Sequence, residues 1–250
     1  MLRFVLELIN IQYQAAAYDM RSSAINRLPR RLRGLSKTAV TFHDLRTPYL
    51  FPKAGPLRRN AVSYMARQAN GVIVTNNADF EQLDRQKQVQ SLIQIPIGSN
   101  INSFTPAHEQ IAAARKKLGL NPSDQLLGYF GFLNETKGAD TLIQALSQLN
   151  EHTHLLFIGG QTGSSDGNNN QTFLGRLMQE IETLGLAHRI HWTGFVPDLE
   201  VSTYLNACDL MVMPYRDGVS LRRGTLMAVL AHKRPLLTTT PTVPTPDLVH

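Results

Sequence analysis

Cysteine is almost absent from this sequence: Cys208 is the single cysteine among 250 residues. One thiol cannot form an internal disulfide bond, and it cannot supply the cysteine sets that hold structural zinc. The sequence therefore excludes a disulfide-stabilised scaffold. A chain of this length buries enough apolar surface to fold without such bonds, and we expect it in a reducing, cytoplasmic compartment.

Long hydrophobic runs are missing as well. The apolar runs are short, as at 155–158 and 210–213, whereas a membrane-spanning helix needs about 18 apolar residues. Near the amino terminus, Glu7 interrupts the apolar core that a secretory signal peptide requires. We therefore expect neither a membrane span nor secretion.

Acidic residues are scarce in one stretch. Residues 21–60 hold ten lysines and arginines and one acid, Asp44, in a chain whose formal net charge is +6. Such a basic patch attracts anions, namely nucleic acid, lipid phosphate or phosphorylated small molecules. The alternative is a solvated face whose long side chains cover apolar surface. Because the stretch lacks the interleaved aromatic residues that stack on bases, we expect no nucleic-acid partner.

Metal and hydrolase motifs are absent too. The histidines of the second half do not form a His-Glu-x-x-His pattern and have no cysteine partners, so no metal site is predicted. The Gly-x-Ser-x-Gly segment of Ser-His-Asp hydrolases is missing. A Gly-Gly-x-x-Gly run at 159–163 has the wrong spacing for a dinucleotide fingerprint.

The sequence does contain a regular alternation of short apolar runs with segments of helical period, which is typical of β-α units around a parallel sheet. We predict strands at 8–13, 38–42, 71–75, 91–95, 125–130, 154–158, 189–193, 209–213 and 235–239. We predict helices at 57–69, 77–86, 107–118, 139–149 and 172–184, and a last helix from Ser220 to about 231. The fold class is therefore α/β, with doubly wound, Rossmann-like parallel sheets.

Two irregular segments divide this pattern. Pro96 and Gly98 interrupt both periodicities within 95–102, which predicts a junction between a domain at 1–100 and a domain at 101–250. The second segment, 159–171, is too polar to pack, so a mobile loop is predicted there at the end of a strand.

A first candidate site is the segment from Gly131 to Gly138, between the strand at 125–130 and the helix at 139–149. The glycines permit close backbone approach, a helix N-terminus offers free N–H groups, and Lys137 adds a positive charge. A phosphate site needs these three things. The alternative is an ordinary turn with a surface lysine.

A second candidate site runs from Asp217 to Thr225, between the strand at 209–213 and the last helix. Ser220 is predicted to cap that helix, which would place Arg222 and Arg223 in its first turn. The helix dipole disfavours cations there unless an anion is bound. The pattern favours a phosphate ligand over a pair of solvated arginines.

His43 ends the strand at 38–42 in the first half of the chain, and Asp44 follows it. The imidazole can act on a substrate hydroxyl or orient a bound group. A capping or strand-end histidine is the ordinary alternative.

Taken in order, these elements resemble the glycogen-synthase-like retaining glycosyltransferases of family 4, whose GT-B architecture has two facing Rossmann-like domains. The resemblance rests on the segments 40–44, 69–79, 95–106, 128–138, 193–197, 207–214 and 231–239. It covers almost the whole chain. The order and spacing of the segments are more specific than any one of them.

The resemblance implies that the second domain binds a nucleoside-diphosphate sugar and that the first binds an acceptor. Lys137, on the turn that begins at Gly131, would hold the donor diphosphate. Phe195 and Val196 would lie beside the base, and His43 would lie near the transferred sugar. Stabilisation of the leaving diphosphate would be the main catalytic contribution. The resemblance implies no metal and no cofactor besides this donor substrate.

The sequence departs from the family pattern at the diphosphate site. Phe132 stands where the family has an arginine that binds diphosphate together with the lysine. We hypothesise that Arg222 or Arg223 replaces this guanidinium, with Asp217 as a further donor-binding residue.

A second departure concerns two glutamates that the family has near the last helix. Their positions fall on Ser220 and Ala228 in one register, and on Asp217 and Thr225 in the other. Neither register keeps the pair. Ser220 is retained as a catalytic and donor-binding candidate beside His43 and Lys137.

The family has further elements before the strand at 8–13 and after the strand at 235–239, so both domains are expected to be incomplete. The leading hypothesis is transfer of a sugar, with retention, to a glycan, lipid or small-molecule acceptor, as in polysaccharide biosynthesis. The alternative is a catalytically inactive nucleotide-sugar-binding or interaction fragment. We expect a cytoplasmic protein whose basic stretch lies near a phosphorylated acceptor or an anionic membrane surface.

Overall fold

The structure is a computed structural model that describes residues 6–14, 18, 23–45, 55–160 and 167–242. They belong to two compact units, Met1–Ile97 and Gly98–His250. The division lies inside the segment 95–102, whose proline and glycine interrupt the apolar pattern. Each unit has its own parallel sheet and its own buried core.

The first unit is a four-stranded parallel sheet with helices between its strands. Its elements are β1 (Leu8–Gln14), α1 (Leu28–Leu32), β2 (Lys37–Asp44), α2 (Gly55–Gln68), β3 (Gly71–Val74), α3 (Asn77–Asp84) and β4 (Leu92–Gln94). The strands lie in the order β1-β2-β3-β4, and every pair is parallel. The four strands and two helices predicted for this half are confirmed, with small shifts at their ends.

The core of the first unit is formed by the sheet and α2. Val40 and Phe42 of β2 are fully buried and share a cluster with Met65 of α2. Burying one such side chain contributes about 1.5–3 kcal/mol, so these contacts hold the helix on the sheet. Asn76 begins α3, because its side-chain oxygen accepts a hydrogen bond from the N–H of Asp79 at 2.9 Å.

The second unit is a five-stranded parallel sheet with helices between the strands. Its elements are α4 (His108–Lys117), β5 (Gln125–Phe130), α5 (Ala139–Ser147), β6 (Thr153–Ile158), α6 (Gly167–Thr183), β7 (Ile190–Trp192), α7 (Asp198–Ala207), β8 (Leu210–Met213), α8 (Gly224–Ala231) and β9 (Leu236–Thr238). The five strands predicted for this half are confirmed. They lie in the order β7-β6-β5-β8-β9.

The strand order reverses in the middle of this sheet. After β5 the chain continues through β6 and β7 on one side, whereas β8 and β9 lie on the other side of β5. The carboxyl ends of β5 and β8 therefore lie at the switch point of this sheet. Open α/β sheets bind their ligands at such a switch point.

The two apolar faces predicted for the helices of the second unit are confirmed with two corrections, whereas α7 was not predicted. Leu142, Ile143 and Leu146 of α5 are buried as predicted, but Leu149 is 44% exposed because α5 ends at Ser147. The predicted loop at 159–171 is wrong from residue 167 onward, where α6 already begins. The buried apolar face of α6 docks the helix on the sheet, and the helix extends toward the amino terminus from that contact. Residues 161–166 lie outside the described residues.

No helix in the described ranges is long and apolar enough to cross a membrane.

Cys208 lies at the end of α7, inside the core of the second unit, where it is 1% exposed. Its thiol donates to the carbonyl oxygen of Tyr204 at 3.2 Å. A Cβ atom on Gly128 of β5 would lie 2.6 Å from the sulfur, so the glycine makes room for the thiol. Burial raises the pKa of Cys208 to about 12.

The amino-terminal edge of the same sheet carries a pair of histidines. Nδ1 of His154 in β6 lies 3.1 Å from Nε2 of His191 in β7, and the two rings stack. Asp124, directly before β5, accepts a hydrogen bond from the N–H of Asn121 at 2.7 Å and lies 3.7 Å from Nε2 of His154. Burial lowers the pKa of both histidines.

Candidate functional site

The turn after β5 is held against the segment after β8. Gly131 has φ 127° and Gly138 has φ 70°, a region that favours glycine. A Cβ atom on Gly138 would overlap the carbonyl oxygen of Pro214. The N–H of Arg216 donates to the carbonyl oxygen of Thr136 at 2.9 Å. The structure therefore brings the two candidate segments of the sequence together at one edge of the sheet.

Lys137 is the cation of this turn, and it lies in a short 3-10 segment, Glu135–Lys137, just before α5. Burial lowers the pKa of its ammonium group, the positive charge of Arg223 lowers it further, and Asp217 acts in the opposite direction. The positive charge of Arg223 therefore acts unfavourably on the charged form of Lys137. An anion bound near both would relieve this repulsion and raise the pKa of Lys137.

Arg223 occupies a different position from the predicted one. It is the N-cap residue of α8 and not part of the first turn, which begins at Gly224. Its Cζ atom lies 4.0 Å from the centroid of the Tyr215 ring, and its guanidinium pairs with the carboxylate of Asp217. Its Nε is buried and has no hydrogen-bond partner among the residues that the structure describes. The Tyr215 ring and the Asp217 carboxylate therefore fix the position of the Arg223 guanidinium.

The predicted capping role of Ser220 is wrong. Its carbonyl oxygen accepts a hydrogen bond from the N–H of Arg223 at 3.1 Å, and its Oγ accepts one from the N–H of Arg222 at 3.4 Å. These bonds close a turn over 220–223, and α8 starts only after it. The dipole argument for two arginines in the first helical turn therefore fails. A bound anion is favoured instead by the positive charges of Arg223 and Lys137, which act on each other.

The ends of β6 and β7 continue this edge of the sheet. Gly159 pairs with Gly194 in an isolated antiparallel bridge. A Cβ atom on Gly159 would lie 3.8 Å from the backbone of Gly131, so the ends of β5 and β6 are in contact. Phe195, directly after the bridge, is 89% exposed, whereas Val196 packs against the core. The edge thus presents one flat apolar side chain on an anchored turn.

The family's two glutamates can be aligned with this sequence in two registers, and the structure places the aligned residues at different distances from the site. Thr225 faces the turn after β5, since its methyl carbon lies 2.9 Å from the position that a Cβ on Gly131 would take. Asp217 belongs to the same site through its pair with Arg223. Ala228 is fully buried in α8 and does not reach the site.

Three residues of the site were missed from the sequence. Tyr215 is 1% exposed and carries the guanidinium of Arg223 on its ring. Arg216 forms an ion pair with Asp140 of α5. Pro214, Tyr215 and Arg216 directly follow β8, so the rule that singled out the turn after β5 applies to them too. Phe132, at the position of the family's arginine, is 47% exposed.

His43 belongs to the first unit and lies near the carboxyl end of β2. Its Nε2 lies 2.8 Å from Oε1 of Gln12 in β1. An amide oxygen only accepts hydrogen bonds, so Nε2 is the donor in this contact. Among the described residues, no group of three or more histidine, cysteine or acidic side chains is arranged to hold a metal ion.

Comparison with known proteins shows similarity to glycosyltransferases. Residues 110–221 match the family model "Glycosyl transferases group 1". The D-inositol 3-phosphate glycosyltransferase of Corynebacterium jeikeium is 25% identical over 166 residues, which are 59% of this chain and 38% of that protein. The protein of the same name from Segniliparus rotundus is 28% identical over 128 residues, which are 50% of this chain and 27% of that protein.

Solved structures superpose on a larger part of the chain than the curated relatives match. Anabaena Alr3699/HepE, in complex with UDP and glucose, superposes with a TM-score of 0.69 at 20% identity, covering 94% of this chain and 65% of that one. The sucrose-phosphate synthase of Thermosynechococcus elongatus superposes with a TM-score of 0.64 at 21% identity, covering 93% of this chain and 55% of that one.

The parallel sheets and these superpositions define the class first: the fold is α/β and GT-B-like, with two Rossmann-like sheets. Within that class, residues 110–221 are similar to the group 1 glycosyl transferases, and the curated relatives above are glycosyltransferases. The matched segments span only 38% and 27% of the two curated relatives.

Proposed function

We propose that this chain takes part in the transfer of a sugar from a nucleoside-diphosphate sugar to an acceptor, with retention of configuration. The observation that carries the proposal is the contact between the turn that holds Lys137 and the segments that lead to Arg223 and Thr225, at the switch point of an open α/β sheet. A diphosphate is the donor group whose two adjacent charges suit two adjacent cations.

The remaining residues of this edge suit the other parts of such a donor. The glycines of the turn after β5 allow the backbone N–H groups to approach a phosphate. Phe195 is exposed at the same edge and offers a flat surface for a base. The HepE structures, which have the same fold, contain UDP or UDP-glucose. We propose that Asp217, Ser220 and Arg222, on the turn before α8, contact the donor as well.

The proposed chemistry depends on charge that develops during the reaction. As the bond between the sugar and the diphosphate breaks, negative charge grows on the leaving phosphate oxygen. Lys137 and Arg223 are partly buried, where screening by water is reduced, so they stabilise this charge more in the transition state than in the ground state. We propose that His43 lies near the transferred sugar and that no metal or other cofactor takes part.

The acceptor is proposed to be a glycan, a lipid or a small molecule, and the protein is proposed to be cytoplasmic. The basic stretch at 21–60 supports a phosphorylated acceptor or peripheral contact with an anionic membrane surface at the inner face.

A second candidate function is binding of a nucleotide sugar without turnover. The observation that favours it is the absence of carboxylates from the family's two glutamate positions in the register that ends at Ala228, and from one position in the register that ends at Thr225. A site with the diphosphate-binding cations and without this pair would bind the donor and leave its glycosidic bond intact.

Calorimetry with a panel of nucleoside diphosphates and their sugars, followed by a donor-hydrolysis and transfer assay, tests the proposal. Lys137→Met should weaken the tightest diphosphate by about tenfold or more, because a charge-assisted contact is lost. Lys117→Met removes an equal charge from the exposed end of α4 and should leave the affinity unchanged. Binding with turnover supports transfer, and binding without turnover supports the second function. If no diphosphate binds, both proposals are wrong.

A further inference from the structure

A groove in the first unit is unusually rich in arginine. It has a volume of about 1020 Å³ and lies between α2 and the segment that contains α1. Its lining also includes Asn26 and Tyr64. Four arginines line it, namely Arg27, Arg30, Arg31 and Arg67.

Among the residues that the structure describes, no carboxylate neutralises the positive charge of this groove. Within the described ranges, none of the four guanidinium groups forms an ion pair. Arg30 donates to the hydroxyl of Tyr64 at 3.2 Å, and Arg67 donates to the side-chain oxygen of Gln88 at 2.7 Å. Both partners are neutral. Four like charges on one groove repel one another, and a bound anion reverses this cost.

The groove shares no residue with the candidate site. It is lined by α1, by residues just before α1 and by residues 60–67 of α2, and His43 is not among its lining residues. Lys137 and Arg223 belong to the second unit. The groove is therefore built from other residues than the candidate site.

We propose that this groove is a binding site for a phosphate-bearing ligand, with the arginines as its ligand-holding groups. A guanidinium presents two parallel N–H donors that match two phosphate oxygens, and four such groups suit a ligand with two or more negative charges. The volume is that of a small-molecule site. The phosphate can be carried by a soluble compound or by a lipid headgroup. This site stands on its own residues and does not depend on the donor-binding function proposed above.

The test compares two double variants of the full chain. Arg27→Gln with Arg31→Gln removes two guanidiniums whose side chains have no hydrogen-bond partner in the described part of the structure, so the fold should be kept. Lys116→Gln with Lys117→Gln removes two exposed charges from α4 in the second unit. Titration with inorganic pyrophosphate at low salt, with both double variants also carrying Lys137→Met to weaken the donor site, should show an affinity at least about tenfold lower for the groove variant, and no change for the control.

Two further samples identify the site and the source of the phosphate. Lys137→Met should keep the pyrophosphate binding that the groove variant loses, which separates the groove from the donor site. Sedimentation with phosphatidylcholine vesicles, with and without phosphatidylglycerol, compares a lipid headgroup with the soluble anion. Loss of vesicle binding in the groove variant alone assigns the ligand to a lipid, and loss of pyrophosphate binding alone assigns it to a soluble compound. If the groove variant and the control behave alike toward both probes, the proposal is wrong.

Discussion

At the residue scale, Arg223 is the side chain on which the donor site depends most. Arg223→Ala should lower the affinity for the tightest nucleoside diphosphate by about tenfold or more, because one of two adjacent cations is removed. Arg223→Lys should recover part of the loss, since it restores the charge without the guanidinium fork. Calorimetry measures both.

Two further arginines serve as comparisons for this prediction. Arg222→Ala should have a smaller effect, since Arg223 is the cation that acts on Lys137. Arg85→Ala removes an exposed cation just after α3, and its partner Glu81 is also exposed, so the affinity should not change. Equal affinities for Arg223→Ala and Arg85→Ala would show that Arg223 does not hold the diphosphate.

Gly138 supports a second prediction at this scale. Its φ of 70° disfavours any side chain, and a Cβ would also overlap the carbonyl oxygen of Pro214. Gly119 has a similar φ of 74° but open space around it. In urea unfolding, Gly119→Ala should cost about 1–2 kcal/mol for the backbone conformation alone, and Gly138→Ala should cost clearly more. Equal losses of unfolding free energy in the two variants would show that the turn after β5 accommodates a Cβ atom at position 138 without additional strain.

Some residues of the site can be predicted from their position after a strand, and others depend on contacts that the sequence does not show. Gly131 and Lys137 were predicted because they directly follow a strand of a parallel sheet, and such positions share one edge. The part played by Tyr215 depends on a cation stacked on its ring, which no local pattern reveals. The capping role of Ser220 was mispredicted because local propensity favours serine at a cap, whereas the observed turn over 220–223 delays the helix.

At the scale of elements, the histidine pair that joins β6 and β7 makes the stability of the second unit depend on pH. Burial lowers the pKa of His154 and His191 below the ordinary 6.5. The unfolded chain then binds protons more readily than the folded one, so the free energy of unfolding is highest above about pH 6.5 and falls as the pH drops through the lowered values. Four other charged groups act on His154. Asp124 raises its pKa, whereas Arg189, His188 and His152 lower it.

Urea unfolding at a series of pH values between 7 and 5 measures this effect. His191→Gln keeps a hydrogen-bonding group next to His154 and removes one titration, so its stability should fall less steeply. His108→Gln, at the exposed start of α4, should follow the native chain. The same slope for all three proteins would show that the pair does not control acid stability.

Strands and amphipathic helices were the most predictable elements, because a buried face leaves a period in the sequence. β5 was predicted with its observed ends, and α5 with its buried face. The start of α6 was not predicted, because its first residues are asparagines and glycine, which are weak helix formers. Docking of the later apolar face outweighs that local preference, and only the tertiary structure contains this information.

At the scale of the whole molecule, each unit buries its own core, and its charge is distributed unevenly. The ten basic residues of 21–60 belong to the first unit, where four arginines of the described residues line a groove. The sequence located the excess charge but not the groove, since Arg67 comes from outside that stretch and joins it only because α2 packs beside α1. The strand reversal that brings the turn of Lys137 against the segment after β8 is likewise a property of the complete second sheet.

The lone cysteine has a practical consequence. Thiol-specific dyes react with the thiolate, and burial together with a pKa of about 12 leaves Cys208 almost entirely protonated and shielded at neutral pH. The chain therefore behaves as a cysteine-free background for labelling. A single cysteine introduced at the exposed Phe195, or at Arg31 in the groove, would carry a fluorophore without removal of the native thiol, so that each site can be observed separately in solution.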